Sequence, residues 1–416
     1  MKTTLPRVVS TTVVLALTGL ALVACSSSSG SGSGSSTYTI WDPYPQYDQS
    51  SDWVKLETAC GTQAGVTIKR TGFDTTDLTN KALLAGQQGD APDVLILDNP
   101  LVSTLAEAGV VESNDVVGLK VPSDVKKNLA DAAVVGGKTY GVSLGANTIQ
   151  LFYNKDVLDA AGVDPASVKD WASLTAALAK ITAAGKKGIV FSAIGTEEGA
   201  FQFEPWFWGA GANLKKLDSS AGVDAVQLWK DWVDKGYAPN SVLQDVQTTA
   251  WQEFATGDYG FVENGSWEFA AAKKAGLNFG IIPIPTQSGG AAPTPTGGEF
   301  VMIPVQKQTA RYKVSAKLVE CLTSTSNLVK TDATLSYVSP TTTAQKQQLL
   351  DDPTFSVWVD AVNNAKSRTG DNLGTDYPKI SKPLWTAVQN ALSGTETPDA
   401  AMKEAQTAAE KAIASK

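Results

Sequence analysis

The chain is expected to fold as an α/β protein made of two sheet-and-helix units, and three observations carry that expectation. From residue 37 short apolar runs alternate with amphipathic stretches, the alternation starts again after residue 170, and 416 residues that are 43% apolar and 18% charged suffice for ordinary globular cores. In the first unit, residues 38–41 read as a strand, 52–65 as a helix with Trp53, Leu56 and Cys60 near helical spacing, 66–70 as a strand and 76–85 as a helix. Residues 93–97 read as a buried strand, after which Asn99 and Pro100 supply an N-cap and a first-turn proline to a helix that Gly109 closes. Such repetition predicts a mostly parallel sheet covered by helices on both faces.

The second unit follows the same logic: helix 170–184, strand 188–192, helix 221–235, strand 259–263, helix 266–275 and strand 277–283. Residues 286–298, rich in Pro, Gly and Thr, are the longest break in the body. A strand over 300–303 comes next, and the chain from about residue 308 reads as helical. No short repeat is visible, which excludes a solenoid.

Residue types that are missing narrow the chemistry. The chain has no histidine, which removes Ser-His-Asp and Cys-His nucleophiles, His-ligated zinc and imidazole proton shuttles. Lys and Arg number 34 against 42 Asp and Glu, a net charge of -8, and the arginines are Arg7, Arg70, Arg311 and Arg368 alone. This balance argues against a nucleic-acid partner. No cofactor and no metal are implied.

Lys2 and Arg7 precede a mostly apolar run over 8–24 that Ser10, Thr11, Thr12 and Thr18 interrupt, too short and polar for a membrane span, so residues 1–24 read as an export signal. Leu22-Val23-Ala24-Cys25 resembles the bacterial lipobox, whose cysteine is acylated and becomes the first residue of the mature lipoprotein; a buried cysteine in an ordinary signal is the competing reading. Residues 26–36 are only serine and glycine, a flexible tether of roughly 18 Å root-mean-square reach, so that 25–36 would hold the folded body close to a membrane but free of it. Cys60 and Cys321 remain in a disulfide-permissive chain. They could pair or stand as separate thiols, and no spacing rule decides a single pair.

Three stretches in order carry a family resemblance. The first is Gly137-Lys138-Thr139-Tyr140-Gly141-Val142 with Leu151-Phe152-Tyr153-Asn154-Lys155-Asp156-Val157-Leu158, Ala161-Gly162 and Trp171. The second is Trp251-Gln252-Glu253-Phe254, Gly257-Asp258-Tyr259-Gly260-Phe261 and Asn264-Gly265-Ser266-Trp267. The third is the tail, Leu392-Ser393-Gly394 through Thr397-Pro398 to Ala400-Ala401-Met402 and Ala405. Together they resemble the extracellular solute-binding proteins of ABC importers, in the cluster that includes maltose-binding protein, over nearly the whole mature chain.

The resemblance implies a two-lobed periplasmic-binding-protein-like fold of class II with the ligand between the lobes. Residues 37–146 and 298–343 would form one lobe and 147–297 and 344–416 the other. Hinge bending around a ligand would make the closed form that permease subunits recognise. It further implies a monomer, lipid-anchored on the outer face of the bacterial cell membrane, with no catalytic residue.

Sugar binding calls for flat apolar faces and for planar polar side chains that satisfy ring hydroxyls. The cluster Phe201, Phe203, Trp206, Phe207 and Trp208 is the richest aromatic run, although plain core packing competes for these side chains. By resemblance Glu204-Pro205-Trp206 matches a Glu-Pro-aromatic segment in which Trp206 would stack on the sugar and Glu204 accept its hydroxyls. Trp267 matches a second stacking tryptophan, and Asn147 stands where the family often has a polar ligand residue at the lobe crossing, here an amide in place of a carboxylate. Loops after strands should face the cleft, which selects Asp42 and Tyr44, Asp74, and Asp98, with Asn99 the helix cap that leaves Asp98 free. Glu299 and Tyr377 complete the candidate set.

None of the three arginines outside the export signal falls in an expected cleft loop, which disfavours a carboxylate ligand and points to a neutral sugar, expected to be an oligosaccharide. A polyamine or peptide receptor of the same fold is the alternative, since cations also use aromatics and carboxylates. A glycoside hydrolase or lyase would need two carboxyls about 5–9.5 Å apart across a scissile bond, for which Glu204 and Asp98 are the pair to consider. A surface adhesin or sensor on the same scaffold would leave the same sequence signature.

Overall fold

Alternating burial along the strands builds the first lobe. Its sheet holds β1 (Thr37–Asp42), β2 (Thr67–Gly72) and β3 (Val94–Asp98), to which β6 (Val142–Ser143) and β11 (Glu299–Met302) are added in the order β2-β1-β3-β11-β6 in this computed structural model. On β3, Val94 and Ile96 enter one apolar cluster with Tyr38, Ile40, Trp53 and Val301, while Leu95 and Leu97 enter another with Leu78, Leu105, Phe300 and Met302. The period of two thus places a core on each face of the sheet. Between β3 and β6 lies the small hairpin of β4 (Val134–Val135) and β5 (Lys138–Thr139).

The second lobe is built on β7 (Ile149–Asn154), β8 (Lys187–Val190), β9 (Tyr259–Gly265) and β10 (Phe279–Ile282), in the order β10-β7-β9-β8. Its core takes in Phe152, Phe203, Trp206, Trp229, Trp232, Trp358 and Leu384, so the helices Ser356–Asn363 and Tyr377–Leu392 pack on this lobe. The structure describes residues 36–415, and the expected export signal, the expected acylation site Cys25 and the expected tether through residue 35 lie outside the described residues. Ser36–Lys416 forms one compact unit.

The expectation of mostly parallel sheets is corrected. β1 pairs parallel with β2 and β3, and β8 with β9, but β11 runs antiparallel to β3 and β6, and β7 antiparallel to β9 and β10. The physical reason is the route of the chain. β11 enters the first sheet from the second lobe without a covering crossover helix, so the right-handed βαβ rule that imposes parallel order does not apply to it.

The lobes are connected by paired extended segments. Ala146 and Val338 exchange backbone hydrogen bonds of 2.8 and 2.7 Å, and Asn147 and Gly297 exchange bonds of 3.2 and 2.8 Å. Gly298 sits at φ +101°, and a Cβ there would come 2.2 Å from the carbonyl oxygen of Gly145, so only glycine permits this close crossing. Cys60 and Cys321 form a disulfide that joins the helices Asp52–Ala64 and Tyr312–Leu322 across 261 residues of sequence. It ties the first lobe's early segment to the segment that returns after the second lobe.

Candidate functional site

Arg368 stands at the centre of a polar cluster between the lobes. It lies in the loop before the helix Tyr377–Leu392 and is 1% exposed. Its Nη2 donates to both Asp98 oxygens at 2.7 and 2.8 Å, its Nη1 to Glu197 Oε1 at 3.0 Å and its Nε to the Thr296 carbonyl at 3.2 Å. The guanidinium stacks 4.9 Å from the centre of the Phe201 ring. The expectation that no arginine occupies the cleft is therefore corrected: a long side chain reaches the site from a loop that follows no strand.

Around this cation the lobes contribute acids and phenols. From the second lobe, the Tyr377 hydroxyl lies 2.5 Å from Glu197 Oε1 and 2.9 Å from Glu204 Oε1. One phenolic proton cannot serve both oxygens, so a proton on Glu204 donating to the phenol completes the chain Glu204 to Tyr377 to Glu197. That agrees with the electrostatics. Burial first, and the nearby Glu197 second, push the Glu204 carboxyl up to about 8 from an ordinary 4.5. From the first lobe, Glu299 accepts from the Tyr337 hydroxyl at 3.3 Å, and burial with the charge of Asp98 pushes it likewise to about 8. Tyr44 is buried beside this pair, and its phenol is raised well above its ordinary value by burial and then by Glu299.

Raised carboxyls have a consequence for stability. Between about 4.5 and about 8 the folded chain holds protons at Glu204 and Glu299 that the unfolded chain releases, so their contribution is full below that window and is lost as pH rises through it. Glu204→Gln is expected to remove its part of the slope. Denaturant unfolding of both proteins at pH 5 and 8.5 should show the variant gaining on the order of 3 kcal/mol relative to wild type across the range. Parallel pH profiles would contradict a protonated Glu204.

Trp267 follows β9 in the short turn Ser266–Glu268 and packs against the apolar clusters of both lobes, 6.4 Å from the Phe201 ring. Its ring lies over Gly265, where a Cβ would meet it at 2.0 Å. The glycine thus lets the indole fold back onto the strand end, beside Phe201, the ring on which Arg368 stacks.

Other expected positions have different surroundings. Trp206 is wholly buried; its indole donates to Glu263 Oε2 at 2.8 Å and meets Trp232 edge-on at 5.1 Å, so the stacking role expected of it is corrected to a core role. The cause is the helix Glu197–Gly209, whose residues from Gly199 onward are buried. Asp42 is also fully buried, bonded to Arg70 Nε and Nη2 at 2.5 and 2.7 Å, to Trp53 Nε1 at 3.2 Å and to the Tyr44 backbone at 2.9 Å. It anchors the turn that carries Tyr44, and its carboxylate is occupied by that work. Asp74 is exposed at the N-cap of the helix Thr75–Gln88 without a capping bond. Asn147 is 6% exposed, with its amide oxygen against Gly297 in the crossing.

Asn99 does not cap the helix Leu101–Glu107, and Asp98 is not free: the Asn99 amide donates to the Thr296 carbonyl at 3.0 Å, while Asp98 holds Arg368. The reading from sequence missed Glu197, Tyr337 and Arg368, and placed Phe201 only within its aromatic cluster. Arg368 had a usable signal, being one of very few arginines in the chain. Among the described residues no group of three or more Cys, Asp or Glu side chains is placed to hold a metal ion.

A family model described as bacterial extracellular solute-binding protein matches residues 55–357. The chain belongs to this family. Among the relatives of this solute-binding protein is the maltodextrin-binding protein MdxE of Bacillus subtilis, 27% identical over 67% of this chain and 68% of its own length. A maltooligosaccharide ABC transporter solute-binding lipoprotein of Streptococcus pneumoniae is 25% identical over 74% of each chain. The solved GacH receptor of Streptomyces glaucescens, described unliganded and with acarbose, superposes with a TM-score of 0.77 at 26% identity, covering 92% of this chain and 99% of that one. The two-lobed fold of the solute-binding protein is that of these sugar-binding neighbours.

Proposed function

We propose that this solute-binding protein takes a neutral oligosaccharide into the cleft between its lobes, closes over it by hinge bending and presents it to the membrane subunits of an ABC importer. The observation that carries the reading is the site's composition. Carboxyl and phenol oxygens from both lobes converge beside the Phe201 and Trp267 rings, while the one guanidinium is already shared by Asp98 and Glu197. Uncharged hydroxyls can give to and accept from protonated carboxyls and phenols, and a sugar's C–H face fits a flat ring. Among the described residues near the site, the second cation, Lys366, is likewise paired, with Asp371 at 2.9 Å, so an anion meets cations that are already engaged. The names of the maltodextrin and maltooligosaccharide relatives support the sugar class and the importer.

With Cys25 acylated, the protein is held at the outer face of the cell membrane as a monomeric receptor. The paired crossings at Ala146 and Asn147 support 37–146 with 298–343 and 147–297 with 344–416 as the moving bodies. Binding without chemistry distinguishes it from a hydrolase. A cationic ligand is the second reading, favoured by four carboxyl side chains around a single arginine.

Calorimetric titration of the ligand-free chain from Ser36 with mono- to tetrasaccharides, followed by product analysis, tests the reading. One-to-one binding of a maltooligosaccharide that is recovered intact is expected. Cleavage would replace it with a hydrolase, and silence on sugars with binding of spermidine would replace it with the cationic reading.

A further inference from the structure

Residues 364–376, between the helices Ser356–Asn363 and Tyr377–Leu392, run as a strap over the crossings. Lys366 donates its backbone N–H to the Thr294 carbonyl at 2.8 Å and accepts from Thr296 at 2.9 Å, which fixes the strap's start to the segment that returns to the first lobe. Asp371 and Asn372 take left-handed φ values of 55° and 60°, turning the strap back. Before that turn Arg368 reaches Asp98 at the end of β3, and after it Thr375 donates to Glu107 Oε1 at 2.7 Å, at the end of the helix Leu101–Glu107. A segment rooted in the second lobe therefore grips the first lobe at two points.

Among the described residues, the Arg368–Asp98 fork is the one ion pair that joins the lobes. It has the geometry that makes such a pair count. The guanidinium is buried, its Nη2 engages both Asp98 oxygens, and Glu197 and the Thr296 carbonyl occupy Nη1 and Nε. Other side chains also cross, Thr375 to Glu107, Asn99 to the Thr296 carbonyl and Asn128 to the Val362 and Ala365 carbonyls, but their donors are uncharged, and the paired backbone bonds of the crossings survive rotation about a hinge. The fork does not: lobes that part by a few ångström separate these charges. The charge–charge part of any preference for closure therefore passes through this pair.

We propose that Arg368 is a positioning residue that clasps the lobes, its fork to Asp98 adding to the stability of the closed form whether or not ligand is bound. This rests on the reading of the protein as a hinge-closing receptor. Arg368 also orients Glu197, and through the Tyr377 hydroxyl Glu204, so the clasp and the arrangement of the polar groups form together.

Solution X-ray scattering of the ligand-free chain from Ser36 tests the clasp without reference to any ligand. Arg368→Met and Asp98→Asn are each expected to expand the particle, and Arg368→Lys, which keeps the charge but not the Nη1 and Nε contacts to Glu197 and the Thr296 carbonyl, to lie between them and wild type. In titrations with maltotriose both variants should lose at least tenfold in affinity, and the double variant should lose no more than the worse single one, the mark of a shared interaction. Should Arg368→Met fail to fold, Asp98→Asn, whose side chain is 23% exposed, carries the test. Unchanged scattering in folded variants overturns the clasp. Expansion on mutation with no maltotriose binding by wild type would leave the clasp standing and overturn the sugar reading alone.

Discussion

Trp206→Ala is expected to lower folding stability by about 3–5 kcal/mol, the range for deleting a large buried aromatic side chain. The indole has no exposed surface, and it packs between Trp171 at 6.4 Å and Trp232 at 5.1 Å beneath β9. Truncation leaves a void that the rigid rings around it cannot collapse to fill. It also strips Glu263 Oε2 of its donor, in a carboxyl whose Oε1 already has no partner and which burial holds well above the ordinary range. Trp206→Phe restores much of the volume but not the donor, and should retain a loss of about 1–3 kcal/mol. Denaturant unfolding measures both, and calorimetry on the folded variants should find sugar affinity within about threefold of wild type. Wild-type stability combined with lost binding would return Trp206 to the ligand site.

Trp267→Ala is expected to do the reverse, lowering sugar affinity by about 30-fold or more while changing stability by about 1–2 kcal/mol. Trp267 is half-buried, belongs to no single core and bridges both. Its ring is held by the Gly265 cradle and lies near Phe201, the ring on which Arg368 stacks. Losing it removes the stacking face and part of the apolar contact between the lobes. Calorimetric titration with maltotriose measures the effect, and an affinity within threefold of wild type would remove Trp267 from the site. Gly265→Ala, which would push the indole off the strand end, should reproduce part of the loss without deleting the ring.

Much of the strand-and-helix order was legible because apolar spacing records which side of an element faces a core. Lys187–Val190, Tyr259–Gly265 and Trp171–Ala183 fall within a few residues of their expected places. The helix Glu197–Gly209 was not legible as a helix, since its residues from Gly199 onward are buried on every side, polar Gln202 and Glu204 among them, and it carries Pro205 internally. That hid the packing of Trp206, because a buried indole and a stacking indole have the same composition signal. Asp42 illustrates a second limit. A carboxylate after a strand suggests a cleft position, yet whether it is free depends on Arg70, 28 residues away in sequence and beside it in space.

The sequence by itself determined the family and the two-unit α/β plan, because both rest on local patterning and on motifs carried in order along the chain. Only the tertiary structure decided how the charged groups are shared. Arg368 meets Asp98 across 270 residues, Tyr377 meets Glu204 across 173, and Cys60 meets Cys321 across 261. Ion pairing, protonation and burial depend on distance and on exclusion of water, and these exist only once chain segments far apart in sequence have been brought together.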